Sequence, residues 1–201
     1  ILRFEFGPQK YLRKELLWPF LEELINKLSK FYEKPENKPD WIHAHYADAG
    51  YVGVRLSKNL KIPLVFTAHS LGREKQRRLL DTGLTQSHIE KSYCISKRIS
   101  AEEEALKEAS MIVTSTKQES VYQYSTYKSF ESQKARVISP GVDYKKFHHI
   151  HSTTETSDID NMMNSFLTDS FKPPLLAISR AVRRKNVPSL VEAFGRSDKL
   201  K

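Results

Sequence analysis

The sequence predicts an α/β fold, a parallel sheet covered by helices on both faces, and three observations carry that prediction. Short apolar runs of strand length recur at residues 41–45, 64–68, 111–114, 136–138 and 175–179. Between them lie longer segments whose apolar residues return at helical spacing. The two kinds of segment alternate along the 201-residue chain, and strands separated by crossover helices pair in parallel.

In chain order, Leu2, Phe4 and Phe6 alternate with Arg3 and Glu5 as in a half-buried strand, which Gly7-Pro8 ends. From Leu16 onward Leu17, Phe20, Leu21, Leu24, Ile25, Leu28 and Phe31 predict a helix, with Pro19 compatible only with its first turn. The polar, proline-bearing stretch from Glu33 to Asp40 is a loop; Trp41 to His45 is a short strand, and Tyr51 to Leu60 a helix. Pro63 opens Leu64 to Ala68, which has the length and β-rich composition of a buried strand. A helix is expected from about Ile89 to Ala109, a strand over Met111 to Thr114 and a helix over Gln118 to Tyr124. Arg136 to Ile138 is a further strand, broken by Ser139-Pro140-Gly141. The chain then runs polar from His148 through Asn164, before a last strand at Leu175 to Ser179 and a helix beginning at Ser189 to Phe194.

A hydrophobic content of 39% is enough to bury a core and argues against a disordered chain. The formal net charge of +9 favours a polyanionic or phosphorylated partner. The basic residues are spread over several loops without a zinc-finger, RNP or helix-turn-helix pattern, so nucleic acid is not expected. One cysteine, Cys94, excludes an internal disulfide and a cysteine-based zinc site. No run approaches 18 apolar residues, so no membrane span is expected. The chain starts at Ile1 and stops at Lys201 just after an amphipathic stretch, and is expected to be an internal segment of a longer protein. The lack of a signal peptide therefore carries no information on location.

Open α/β sheets bind ligands beyond the carboxyl ends of their strands. Here those loops are polar: His45 to Asp48, His69 to Lys75, Ser115 to Glu119, Pro140 to Asp143, and Arg180 with Arg183, Arg184, Lys185 and Asn186. Arg180 and Lys185, two cations five apart between a strand end and a helix start, suit a phosphate chain, and equally suit a solvated basic loop. His43 and His45 with Asp48 could suit a metal, but two histidines on one strand are not a site and no third ligand has the right spacing, so no metal is expected. His69 and Ser70 are sequence neighbours after a strand, which disfavours a Ser-His nucleophile, while Gly72 would allow close backbone approach to a ligand. Lys75 could reach an anion or be solvated. Lys97 and Arg98 precede Glu102, Glu103 and Glu104 by about a turn, and i,i+4 pairing on an exposed helix face competes with a binding role for both.

Seven phrases in register resemble the sucrose-phosphate synthases, retaining glycosyltransferases of the two-domain GT-B architecture. They are Phe6-Gly7-Pro8 with Lys14 to Pro19, His43 to Gly50, His69 to Gly72 with Lys75, Arg98 to Glu103, Val113 to Glu119, Pro140 to Val142, and Ser179-Arg180 to Lys185-Asn186. The resemblance implies two Rossmann-like domains: residues 1–139 would be the acceptor side, lacking its first strand and glycine loop, and residues 140–201 the truncated start of the nucleotide-sugar domain. It implies transfer of glucose from UDP-glucose, or ADP-glucose, to fructose 6-phosphate with retention, giving sucrose 6-phosphate in the cytoplasm. Arg180 and Lys185 would hold the donor diphosphate and His69 would sit at the donor sugar as the catalytic residue. Ser70, Lys75, Lys97 and Arg98 would take the acceptor phosphate, with Lys75 and Arg98 foremost, and Lys10, Arg13 and Lys14 form a further basic set. Such enzymes need no protein nucleophile, cofactor or metal, since the leaving phosphate oxygen can take the acceptor proton. Plant-type sucrose synthases fit less well around residues 69–72 and 98–103. A mannosylfructose-phosphate synthase using GDP-mannose, or a noncatalytic sugar-phosphate-binding homologue, would share most of these phrases. The isolated segment, supplying one wall of a two-domain cleft, is expected to be inactive.

Overall fold

The computed structural model describes residues 1–147, 157–167, 169 and 172–199. The chain divides into two compact units, Ile1–Val142 and Asp143–Lys201.

The first unit is built on four strands, β1 (Ile42–His45), β2 (Leu64–Thr67), β3 (Met111–Thr114) and β4 (Ala135–Val137), all parallel and in the order β1-β2-β3-β4. Register sets Ala44 beside Phe66 and Phe66 beside Ile112, so three apolar side chains line one face of the sheet. Six helices accompany it: α1 (Leu21–Tyr32), α2 (Ala47–Leu60), α3 (Gly72–Asp81), α4 (Gln86–Tyr93), α5 (Ile95–Glu108) and α6 (Lys117–Tyr122). Helices α2 and α5 pack on each other and against the first two strands, burying Val54, Leu64, Phe66, Ala105, Leu106 and Ile112 in one cluster. A second cluster, with Leu21, Ile25, Val52, Leu56 and Trp18, fills the seam between α1 and α2. On β1 only Ala44 is buried, and His43 and His45 stand exposed at the alternate positions.

Several elements differ from the sequence expectation for physical reasons. Leu2 to Phe6 pairs with no strand. Its alternation reports side-chain anchoring instead, with Phe4 edge-on to Phe31 at 5.3 Å and Lys27 Nζ donating to the Glu5 carbonyl at 2.7 Å. The helix expected from Leu16 begins at Leu21, after 3-10 turns at Lys14–Leu16 and Trp18–Phe20 that absorb Pro19. Helix α2 begins at Ala47, directly after β1. The strand-end loop expected from His69 to Lys75 gives way at Gly72 to α3, which has almost no apolar face and is tied by Glu74 to Arg77 and Arg78 and by Arg77 to Asp81. The single helix from Ile89 to Ala109 is two, because Cys94 adopts a left-handed conformation at φ 45° and breaks it.

In the second unit α7 (Ser157–Asn164) occupies part of the polar stretch, whose residues 148–156 lie outside those described. A 3-10 turn at Arg183–Lys185 leads into α8 (Val187–Arg196). Leu175 to Ser179 is not a strand: no strand exists among the described residues of this unit to pair with it, and Leu176 and Ile178 are exposed. No helix among the described residues is long and apolar enough to cross a membrane.

Glycine brings α2 onto the sheet. A Cβ at Gly50 would meet the Phe66 ring at 2.8 Å and the Ala105 Cβ at 3.1 Å. Helix propensity favours Gly50→Ala by roughly 1 kcal/mol, whereas overpacking a filled core costs about 1–3 kcal/mol. Phe66 is fully buried and has nowhere to retreat, so Gly50→Ala is expected to lower the denaturant midpoint; a raised midpoint would show that the α2–sheet seam has slack.

Candidate functional site

At the carboxyl ends of β1 and β2 the chain turns sharply twice. Tyr46 leaves β1 at φ 78° with its amide donating to the Thr67 carbonyl at 2.9 Å, and His69 leaves the end of β2 at φ 57°. Both are non-glycine residues in the left-handed region, a conformation that persists where surrounding contacts hold it. Ser70, Leu71 and the amino end of α3 follow.

Arg98 projects from α5 into this corner and is almost fully buried. Its Nε donates to Glu102 Oε1 at 2.9 Å, its Nη2 donates to the Ser70 carbonyl and, at 3.1 Å, to Ser70 Oγ, and its guanidinium lies over the Tyr46 ring at 4.6 Å. The expectation of an i,i+4 pair on an exposed face is therefore half corrected: Arg98 and Glu102 do pair at that spacing, but inside the protein. Glu102 also accepts from the Gly72 amide at 2.8 Å and from the Tyr127 hydroxyl. Burial pushes its carboxyl above the ordinary value, and Arg98, Tyr127 and Gly72 pull the other way.

Lys75, on the first turn of α3 rather than in a loop, faces the same corner. Its ammonium lies 3.7 Å from the centre of the Tyr93 ring and 3.9 Å from Glu15 Oε1. Burial, then the charges of Lys14 and Arg98, bring its pKa down to about 8 against the opposing pull of Glu15. Lys14 donates to the Tyr46 hydroxyl at 2.5 Å. Together Lys14, Lys75 and Arg98, with Glu15, Asp48 and the rings of Trp18, Tyr46 and Tyr93, line one open cleft. Three cations in one cleft repel one another, and an anion bound among them removes that repulsion.

Of the residues singled out from sequence, Lys75 and Arg98 meet in this cleft and Ser70 touches Arg98. Lys14, from the secondary basic set, belongs there too, whereas Lys10 is exposed and Arg13 reaches the Ser92 carbonyl. Lys97 does not line the cleft; it is exposed, 5.7 Å from the centre of the Trp18 ring. Arg180 and Lys185 are exposed in the second unit, at the approach to α8. His43 Nε2 is hydrogen-bonded to Thr67 Oγ1 at 2.8 Å and His45 Nδ1 to His69 Nε2 at 2.8 Å. No group of three His, Cys, Asp or Glu able to hold a metal occurs among the described residues. Sequence reasoning gave no role to Tyr46, Tyr93, Trp18 or Glu15. Tyr46 was marked by its place immediately after a strand end, and Glu15 and Trp18 lie in the Lys14 to Pro19 phrase; Tyr93 is brought in by α4 and carried no signal.

Residues 4–155 match the family described as the sucrose synthase first GT-B domain. A probable sucrose-phosphate synthase 2 of Craterostigma plantagineum is 35% identical over 97% of this chain and 23% of its own length. Sucrose-phosphate synthase 4 of Arabidopsis thaliana is 33% identical over the whole chain and 24% of its own length. The chain thus spans about a quarter of the curated relatives it matches. The solved sucrose-phosphate synthase of Thermosynechococcus elongatus superposes with a TM-score of 0.74 over 98% of this chain and 44% of that one, at 23% identity, which is a likeness of fold. With the parallel sheet, the polar strand ends and the family match over most of the first unit in agreement, the chain belongs to the sucrose synthase and sucrose-phosphate synthase family of GT-B glycosyltransferases.

Proposed function

We propose that this chain is the acceptor-side part, with the start of the donor side, of a sucrose-phosphate synthase that transfers glucose from UDP-glucose or ADP-glucose to fructose 6-phosphate with retention. The observation that carries this is the convergence of Lys14, Lys75 and Arg98 on one cleft beyond the strand ends. An unphosphorylated hexose has no use for three cations, whereas a phosphate dianion forms charge-assisted hydrogen bonds to each. Glu102 and Ser70 hold Arg98 in place before the ligand arrives, so little ordering is left to occur on binding. Ser70 Oγ is a further group that the phosphate can reach beside Arg98, and Lys97 is left with a peripheral electrostatic role.

In this proposal His69 serves the donor sugar, and Arg180 and Lys185 neutralise the charge that grows on the departing diphosphate. The acceptor hydroxyl attacks on the face from which the nucleotide leaves, and its proton passes to the leaving phosphate oxygen. The protein then needs neither a nucleophile nor a metal; its work is to position the two substrates and oppose developing charge.

Each charge-assisted hydrogen bond contributes roughly 1.5–3 kcal/mol, so Lys75→Ala in the full-length enzyme is expected to weaken use of fructose 6-phosphate by roughly ten- to a hundredfold. The slow rate with fructose should hardly change; steady-state kinetics with both acceptors decides, and equal losses would make Lys75 structural.

Lys75 titrates near 8 in the free protein, and a bound dianion favours its charged form. The free protein therefore loses this proton as pH rises through about 8 while the complex retains it. Affinity for fructose 6-phosphate should fall over that range, and titration calorimetry near pH 8 in buffers of different ionisation enthalpy should register proton uptake. Zero net uptake would remove Lys75 from the phosphate site.

Arg180→Ala and Lys185→Ala are expected to lower kcat more than they raise KM for the donor, because the charge they meet is largest in the transition state. EDTA should leave the wild-type rate unchanged. Loss of activity with EDTA and recovery with Mg²⁺ or Mn²⁺ would end the metal-free account and return His43, His45 and Asp48 to consideration as ligands.

A further inference from the structure

The cation cleft leaves a second arrangement unused. His43 and His45 stand on the open side of β1, and the register opposes His45 to Thr67, two residues before His69. The three imidazoles form a row: ring centres lie 4.0 Å apart between His43 and His45, tilted by 36°, and 5.0 Å apart between His45 and His69, inclined by only 21°. The row is tied at one end by His43 Nε2 to Thr67 Oγ1 at 2.8 Å, and within it His45 Nδ1 is hydrogen-bonded to His69 Nε2 at 2.8 Å. All three histidines are exposed, so core packing does not explain the arrangement.

We propose that His45 is a positioning residue for His69, fixing the orientation and proton arrangement of its imidazole through the direct ring-to-ring hydrogen bond. This rests on the assignment of His69 to the donor sugar.

A residue at φ 57° has left the conformations that side chains prefer, and nothing in the backbone alone selects its ring direction. The bond to His45 does. It also constrains protonation, because a hydrogen bond between two ring nitrogens contains one proton and requires the accepting ring to be neutral. Protonating the accepting nitrogen as well breaks the bond, and full protonation of both rings sets two cations side by side. Partial burial, and then the neighbouring imidazoles, lower the protonation of His43 and His45 from the ordinary histidine value, which favours a neutral His45 and with it the bond. The charged groups that act on His43 and His45 are the imidazoles of the row itself, and Asp48 of α2 shares an apolar groove with His43. In a reaction that depends on aiming a hydrogen bond at a sugar, a ring free to turn would be aligned in only a fraction of encounters.

The test uses the full-length enzyme with His45→Phe, which keeps a ring in the row but removes both nitrogens, and His45→Asn, whose amide can stand in for Nδ1. His45→Phe is expected to lower kcat about tenfold, with KM for both substrates within about twofold of wild type, and to displace the acid limb of the kcat–pH profile. His45→Asn should recover most of the rate. A merely structural role would move neither the pH limb nor the Phe-to-Asn contrast. His69→Ala, measured in parallel, separates the two levels of inference. If His69→Ala abolishes transfer while His45→Phe leaves kcat and the acid limb unchanged, the positioning role is wrong and the site assignment stands. If His69→Ala is itself without effect, the assignment of His69 fails and the role of His45 fails with it.

Discussion

The buried ion pair between Arg98 and Glu102 is the interaction on which the binding corner depends. One carboxylate with no exposure to solvent receives the Arg98 guanidinium, the first amide of α3 at Gly72 and the Tyr127 hydroxyl. It thereby joins α5, α3 and the segment after α6. Removing one partner of such a pair leaves an uncompensated charge in the interior, which costs about 3–5 kcal/mol. The arrangement also has a directional result. With Nε committed to Glu102, the rest of the guanidinium is left for Ser70 on one side and the Tyr46 ring on the other. Gly72 is required at this corner because a Cβ there would come within 2.8 Å of Glu102 Oε2 and 2.9 Å of Ile99 Cγ1.

Aromatic rings accompany the cations throughout the cleft. Tyr93 lies under Lys75, and Tyr46 under both Arg98 and Lys14. A ring face attracts a cation without neutralising it, by about 0.5–2 kcal/mol depending on exposure. The positive charges are therefore held apart and oriented while their demand for an anion persists. Glu15, 3.9 Å from Lys75, offsets part of the repulsion.

How far the sequence revealed all this depended on the kind of contact involved. β2 was legible because Leu64 to Thr67 is buried at every position, and an unbroken apolar run is what such a strand must look like. Helix α3 was not, because its stability comes from charge pairs that leave no apolar period. Leu175 to Ser179 misled in the opposite direction: its composition is that of a buried strand, but a strand is made by a partner and none is present among the described residues of its unit. In the site, Lys75 and Arg98 were reached through family phrases, and Tyr46 by its place after a strand. Glu102 was misjudged because i,i+4 spacing describes a pair on a helix and is silent on whether that side of the helix meets water or another element.

Lys75 is carried by a helix with little hydrophobic support, in which only Gly72 is buried. The outer turns of α3 are held by Glu74, Arg77, Arg78 and Asp81, and the Arg77 guanidinium, reinforced by Arg78, holds the Glu74 carboxyl down at about 2. Exposed charge pairs of this kind weaken as mobile ions screen them, while the buried anchor at Gly72 and Glu102 does not. Ionic strength therefore acts unevenly along one short helix, loosening the far end at Arg77 to Asp81 while its first residue stays pinned. The salt content of the surroundings becomes a control on how firmly one of the three cleft cations is presented, separate from any screening of the ligand itself.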